Sequence, residues 1–151
     1  MKIVIGADHA GFGLKEEYKE ILRAEGIEFL DMGTMGADQP VDYPDIAEAV
    51  ARKVASGEYE RGVIICGTGI GVAIAANKVK GIRAAACNDP VSARFSRAHN
   101  DSNILTVGAR IVGIAVAREI FLVWLHTGFE GGRHATRVEK INKIEERSGV
   151  K

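Results

Sequence analysis

Val63-Ile64-Ile65-Cys66-Gly67-Thr68-Gly69-Ile70-Gly71 is the stretch from which the fold is read. A β-branched run ends at a cysteine, alternating glycines turn the chain, and an apolar helical pattern from Ile70 to Val79 follows at once. Strand, tight turn and helix in so few residues make a β-then-α unit. Glycines at 67, 69 and 71 let backbone N–H groups converge on an anion, with the positive end of the helix behind them. A thiol in that field loses its proton readily. On residue type alone, Cys66 is a nucleophile, a proton-abstracting base or a small buried hydrophobe.

The same rhythm extends in both directions. Lys2 to Gly6 precedes Leu14 to Glu25, and Ile27 to Asp31 precedes Pro44 to Ala55. After the central unit come Ile82 to Cys87 with Val91 to His99, and Ile104 to Val107 with Gly113 to Thr127. Five such units, with strands that are continuous Val, Ile and Ala runs, predict a Rossmann-like three-layer α/β/α fold around a five-stranded parallel sheet. In open sheets of this kind ligands sit at the carboxyl ends of the strands. The residues there are Gly6-Ala7-Asp8-His9, Cys66-Gly67-Thr68, Asn88-Asp89 and Gly108-Ala109-Arg110, and Gly33 to Asp42 is the longest unpatterned loop beside them.

A single domain over residues 1–151 accommodates all of this. Lys plus Arg and Asp plus Glu each number 20, which removes the electrostatic case for nucleic acid or an anionic membrane as the main partner. A small polar ligand remains. Met1-Lys2 leads directly into a strand with no signal-peptide pattern, and no apolar run has membrane-spanning length. Cys66 and Cys87, the two cysteines, suit reduced thiols, and the expected location is the cytoplasm. Cys87, with no glycine loop after it, is structural.

Two helices extend the reading. Gly113 to Thr127 is apolar nearly all round, with Arg118 and Glu119 as its charged positions, which calls for cover on more than one side. A subunit interface would supply it, so a homodimer with its axis near this helix is expected, with Trp124 and His126 assigned to packing. An extra C-terminal helix runs from Arg133 to about Arg147, and Arg133, Arg137, Ile141 and Ile144 share one face. The arginines either cap a buried apolar stripe or clamp an anion.

Familiar glycine motifs fail here. After Gly67 and Gly69 the third glycine of a dinucleotide fingerprint would stand at Val72, and Gly6-Ala7-Asp8-His9-Ala10-Gly11 is followed by Phe12 rather than the lysine of a phosphate loop. A cysteine phosphatase needs an arginine closing its loop, and Gly67 to Asn77 has none. His9, His99, His126 and His134 include no pair at the i, i+4 spacing of a helical zinc site, so neither metal nor cofactor is called for. A thiol base in an anion-stabilising loop with distant arginines fits proton abstraction next to a sugar carbonyl.

Ile5-Gly6-Ala7-Asp8-His9-Ala10-Gly11, Asp42-Tyr43-Pro44, Cys66 to Gly71, Ala76-Asn77-Lys78, His99-Asn100 and the Arg133/Arg137 pair together resemble the type B ribose-5-phosphate isomerases over essentially the whole chain. That wider family includes galactose-6-phosphate isomerase subunits and allose-6-phosphate isomerases. The resemblance implies that Cys66 is the general base moving a proton between C2 and C1 through an enediolate. It implies that His99 opens the sugar ring with help from Thr68 and Asp8, and that Gly67, Thr68, Gly69, Ile70 and Gly71 form the anion hole. Asn100 is implied to bind the same end of the sugar; His9, Arg110, Arg133 and Arg137 are implied to bind phosphate. Tyr43 either borders the substrate or packs on the helix behind it. Relatives that use a glutamate base carry it where Val72 stands, so this chain goes with the cysteine type. The implied assembly is a homodimer, or a dimer of dimers, with each site built from two subunits. The main expectation is interconversion of ribose 5-phosphate and ribulose 5-phosphate without a metal. Its alternatives are a six-carbon sugar-phosphate isomerase, acting on allose 6-phosphate or galactose 6-phosphate, and a non-catalytic sugar-phosphate binding domain.

Overall fold

The computed structural model of the chain describes residues 1–149. Five strands, β1 (Lys2–Ala7), β2 (Glu28–Asp31), β3 (Arg61–Cys66), β4 (Ala84–Ala86) and β5 (Ile104–Gly108), form one parallel sheet in the order β2-β1-β3-β5-β4. The three inner strands are the continuous apolar runs. β5 is buried throughout, whereas edge strands β2 and β4 are partly exposed. The sequence places a longer fourth strand at Ile82 to Cys87. Only Ala84–Ala86 pairs, because Asn77 takes the N–H and C=O of Ala84 with its amide and holds the approach as a loop.

Helices α1 (Phe12–Ala24), α4 (Pro90–Ala98) and α5 (Ile114–His126) cover one face, and α2 (Tyr43–Ala55) with α3 (Ile70–Ala76) covers the other. Right-handed crossovers require this division, since β1→β2 and β4→β5 step one way along the sheet while β2→β3 and β3→β4 step the other. The chain leaves β1 and β3 toward opposite faces, and leaves β3 and β5 toward opposite faces as well. A crevice therefore opens at the carboxyl end of β3, the position of Cys66.

Three expectations need correction. α3 ends at Ala76 rather than Val79, because the Asn77 bridge to β4 takes over from the helix. α5 is covered by its own chain: Tyr18 of α1 stacks on Phe121 at 4.4 Å and donates its hydroxyl to the Ala117 carbonyl, and buried Trp124 donates to Ser102 Oγ at 2.9 Å. Ile114, Ala115 and Val116, in the first turn, are its exposed apolar residues, and most of the rest of the helix is covered within the chain. His126 is exposed and faces the Glu25 carboxylate at 3.2 Å instead of packing.

The last helix, α6 (Arg133–Arg147), follows Gly131 and Gly132, both at positive φ, which re-aim the chain after α5. Its buried residues are His134 and Val138. Arg133, Arg137, Ile141 and Ile144 are exposed, so the arginines lie one residue off the buried line instead of extending it.

Candidate active site

β3 ends by placing Cys66 where its carbonyl still accepts the Ala109 N–H, while its sulfur accepts the Gly69 N–H at 3.1 Å. Gly69 sits at φ 77°, a left-handed conformation that bends the loop back over the thiol. Four further bonds fix the loop. Thr106 donates its hydroxyl to the Gly69 carbonyl at 2.7 Å, Asn88 donates to the Thr68 carbonyl while accepting Gly108 N–H, and Thr68 Oγ1 accepts Ile70 N–H. Cys66 is buried at 5% exposure and Thr68 is exposed, so the loop carries a sheltered thiol beside an accessible hydroxyl.

The expected neighbours gather on this edge. Asp8 continues β1 by donating its N–H to the Ile65 carbonyl, is buried, and closes its own turn by accepting Gly11 N–H at 3.0 Å; exposed His9 rides on that turn. Arg110 leaves β5 with its guanidinium beside Gly67, close enough that a methyl group there would stand 3.4 Å from Cδ. Tyr43, at the start of α2, lies against Gly71, where a methyl group would meet the ring at 2.7 Å. The missing side chain at 71 makes room for an aromatic wall. Asn88, which the sequence places at the ligand-facing edge without a role, belongs to this arrangement by tying the loop to β5. Cys87 is buried, and burial pushes its thiol up to about 11, which keeps it protonated.

His99, Asn100, Arg133 and Arg137 do not join this group within one chain. His99 and Asn100 end α4 and lead into the amino end of β5, whereas Cys66 pairs with Gly108 at its carboxyl end. β5 alone separates these edges by about 13 Å. At the second edge His99 stacks on His134 at 4.1 Å, and Glu130 lies 3.9 Å from His99 Nε2 and 3.6 Å from His134 Nε2. These three ligand atoms fall within 4.8 Å of one another. A metal ion lies in the plane of each imidazole it binds, and two rings stacked 7° from parallel point their nitrogens side by side rather than at a common centre. This arrangement of the donors does not fit a single ion. Burial, with His99 and the Arg133 and Arg137 guanidinium groups nearby, holds the His134 imidazole below its ordinary range, against the pull of Glu130.

Fold and loop together define an α/β enzyme with a thiol at the topological switch of its sheet. The chain belongs to the ribose/galactose isomerase family, whose model matches residues 3–141, and is an isomerase. It is 50% identical over 146 residues to ribose-5-phosphate isomerase B of Escherichia coli (strain K12), covering 97% of this chain and 97% of that protein. It is 41% identical over 145 residues to D-erythrulose-4-phosphate isomerase of Pectobacterium atrosepticum, covering 96% and 95%. The solved structure of Clostridium thermocellum ribose-5-phosphate isomerase B matches with a TM-score of 0.96 at 54% identity, covering 99% of this chain and 100% of that one. No helix among the described residues is long and apolar enough to cross a membrane.

Proposed function

We propose that this chain interconverts ribose 5-phosphate and ribulose 5-phosphate by thiol-mediated proton transfer, in sites shared between two copies of the chain. The observation that carries the reading is the Cys66 sulfur held at 3.1 Å from the Gly69 N–H at the mouth of a loop shared with Asp8, Tyr43 and Arg110. The C2 hydrogen of an aldose is weakly acidic, so a base needs preorganised donors for the oxyanion that develops, each worth about 3 kcal/mol. Backbone amides from Gly67 to Gly71 supply them. The thiolate takes the C2 proton, an enediolate forms, the hydroxyl proton passes from O2 to O1, and the same sulfur returns its proton to C1. His9, Arg110, Arg133 and Arg137 hold the phosphate, turning binding energy at the far end of the sugar into orientation of the reacting carbons. The opposite placement of Cys66 and His99 supports a site completed by a second copy.

Replacing Cys66 with Ala tests this directly. Turnover falls by at least about a hundredfold while ribose 5-phosphate still binds, as expected for loss of a general base. In heavy water the native enzyme exchanges solvent label into the product and the variant does not. Retained turnover in the variant, or a covalent sugar adduct on Cys66 seen by mass spectrometry, would sink the scheme. Turnover of ribose 5-phosphate, allose 6-phosphate, galactose 6-phosphate and erythrulose 4-phosphate, compared side by side, ranks the five-carbon substrate against its alternatives. The proposed scheme uses no metal, so chelator leaves the rate unchanged.

A further inference from the structure

The second edge is more elaborately built than a lone ring-opening histidine requires. His99 has Phe95 stacked on it at 4.6 Å and His134 at 4.1 Å, spacings at which the two rings must occupy opposite faces. The imidazole is thus sandwiched and can turn little. Below it the main chain is clamped: Asp101 adopts φ 46°, unusual for a residue with a side chain, and two arginines hold it there. Arg83 donates to the carbonyls of Asn100 and Asp101 and to Asp101 Oδ2, and Arg97 donates to Asp101 Oδ1 at 2.8 Å and to the Ser102 carbonyl at 2.6 Å. Across the ring edge stands Glu130, whose own N–H donates to the Ala98 carbonyl at 3.0 Å and so pins it to the end of α4. The Glu130 carboxylate faces Nε2 of both histidines, and no bond within the described residues occupies it.

We propose that Glu130 is a positioning residue for ring opening, holding the His99 imidazole and stabilising its protonated form while the sugar ring breaks. The inference rests on the assignment of ring opening to His99. In that step the imidazole takes the proton of the anomeric hydroxyl, the bond from C1 to the ring oxygen breaks as the C1 carbonyl forms, and the imidazole returns the proton to the ring oxygen. One proton moves from one sugar oxygen to another, and nothing is oxidised or consumed. Between the two transfers His99 carries a positive charge, and a carboxylate within about 4 Å favours that state. The same carboxylate faces His134 beside the Arg133 and Arg137 guanidinium groups, so Glu130 brings negative charge to an otherwise cationic edge. His134 is kept neutral by its surroundings, so it walls the ring without adding another charge.

Glu130→Gln keeps the shape of the side chain and removes its charge. The expected result is a fall of roughly tenfold to a hundredfold in kcat for ribose 5-phosphate with little change in KM, because charge stabilisation within acid–base catalysis is lost and substrate contacts are not. Ribulose 5-phosphate has no furanose ring to open, so exchange of its C1 hydrogen with heavy water proceeds at the native rate in the same variant. Unchanged conversion of ribose 5-phosphate overturns the proposal, and so does an equal loss in both measurements, which marks a structural role. His99→Asn separates the two layers of argument. If that variant also converts ribose 5-phosphate normally, the assignment of His99 has failed; if it is impaired while Glu130→Gln is not, the role given to Glu130 has failed.

Discussion

Gly69 meets two demands that no other residue type meets together. Its φ of 77° favours glycine, and a methyl group on it would stand 2.9 Å from the Val107 carbonyl carbon, a backbone atom that cannot step aside. Gly69→Ala is expected to cost about 2 kcal/mol in urea unfolding, from left-handed strain plus overpacking, and to disturb the N–H that faces Cys66. Gly71→Ala makes the instructive contrast. The group it would meet is the ring of Tyr43, an exposed side chain free to swing outward, so stability changes by less than about 1 kcal/mol while KM for the sugar phosphate rises. Equal stability losses in the two variants would refute this account of the loop. The alternating glycines make this part of the site legible in sequence, because glycine spacing reports backbone geometry directly. Asp101 and Glu130 are not legible in that way. A left-handed aspartate looks like any other, and Glu130 matters only through the stacked imidazoles that it faces.

Elements are joined at the active edge by a charge cluster that no local pattern announces. Lys15 of α1 is fully buried, and its Nζ lies 2.6 Å from Asp31 at the end of β2; Lys19 reaches the same oxygen at 2.7 Å. Asp31 Oδ1 accepts Gly33 N–H, and the next peptides bond back to Ala7, so the cluster anchors the long loop beside Asp8. Burial alone would raise the Asp31 carboxyl, but the hydrogen bonds from Lys15, Lys19 and Gly33 outweigh it and hold the carboxyl below its ordinary 3.8. Asp31→Asn leaves the buried Lys15 charge with Glu16 Oε1, at 2.9 Å, as its remaining carboxylate partner, and is expected to cost about 2 kcal/mol at neutral pH through the lost charged hydrogen bonds. Because the folded value lies below the unfolded one, this contribution is complete above the ordinary carboxylate range and is lost as pH falls through the folded value. The gap between native and variant unfolding energies therefore narrows below pH 3.8, and a gap that widens there would contradict the assignment. Hydrophobic periodicity located every helix and strand of the fold, but not the end of α3 or the shortness of β4. Those ends depend on Asn77, whose amide bonds across sequence to Ala84.

Across the whole molecule, the governing fact is that loops following strands and loops following helices emerge at opposite edges of a parallel sheet. Cys66, Asp8 and Arg110 stand on the first edge, and His99 and Asn100 on the second. Chain order alone contains this division, because His99 precedes a strand and Cys66 ends one; the alternation of strands and helices does not say that the edges must meet. If each site takes its thiol from one copy and its imidazole from another, two defective proteins can repair each other. Cys66→Ala and His99→Asn are each inactive toward ribose 5-phosphate alone. Mixed, unfolded and refolded together in equal amounts, half of the resulting dimers contain one of each, and in such a dimer one site inherits both defects while the other inherits neither. About a quarter of native activity should return, following from two-fold symmetry with sites across the interface. A site contained within one chain would yield none at any mixing ratio. Recovery must also vary with ratio as the product of the two mole fractions, which separates subunit exchange from contamination by native enzyme.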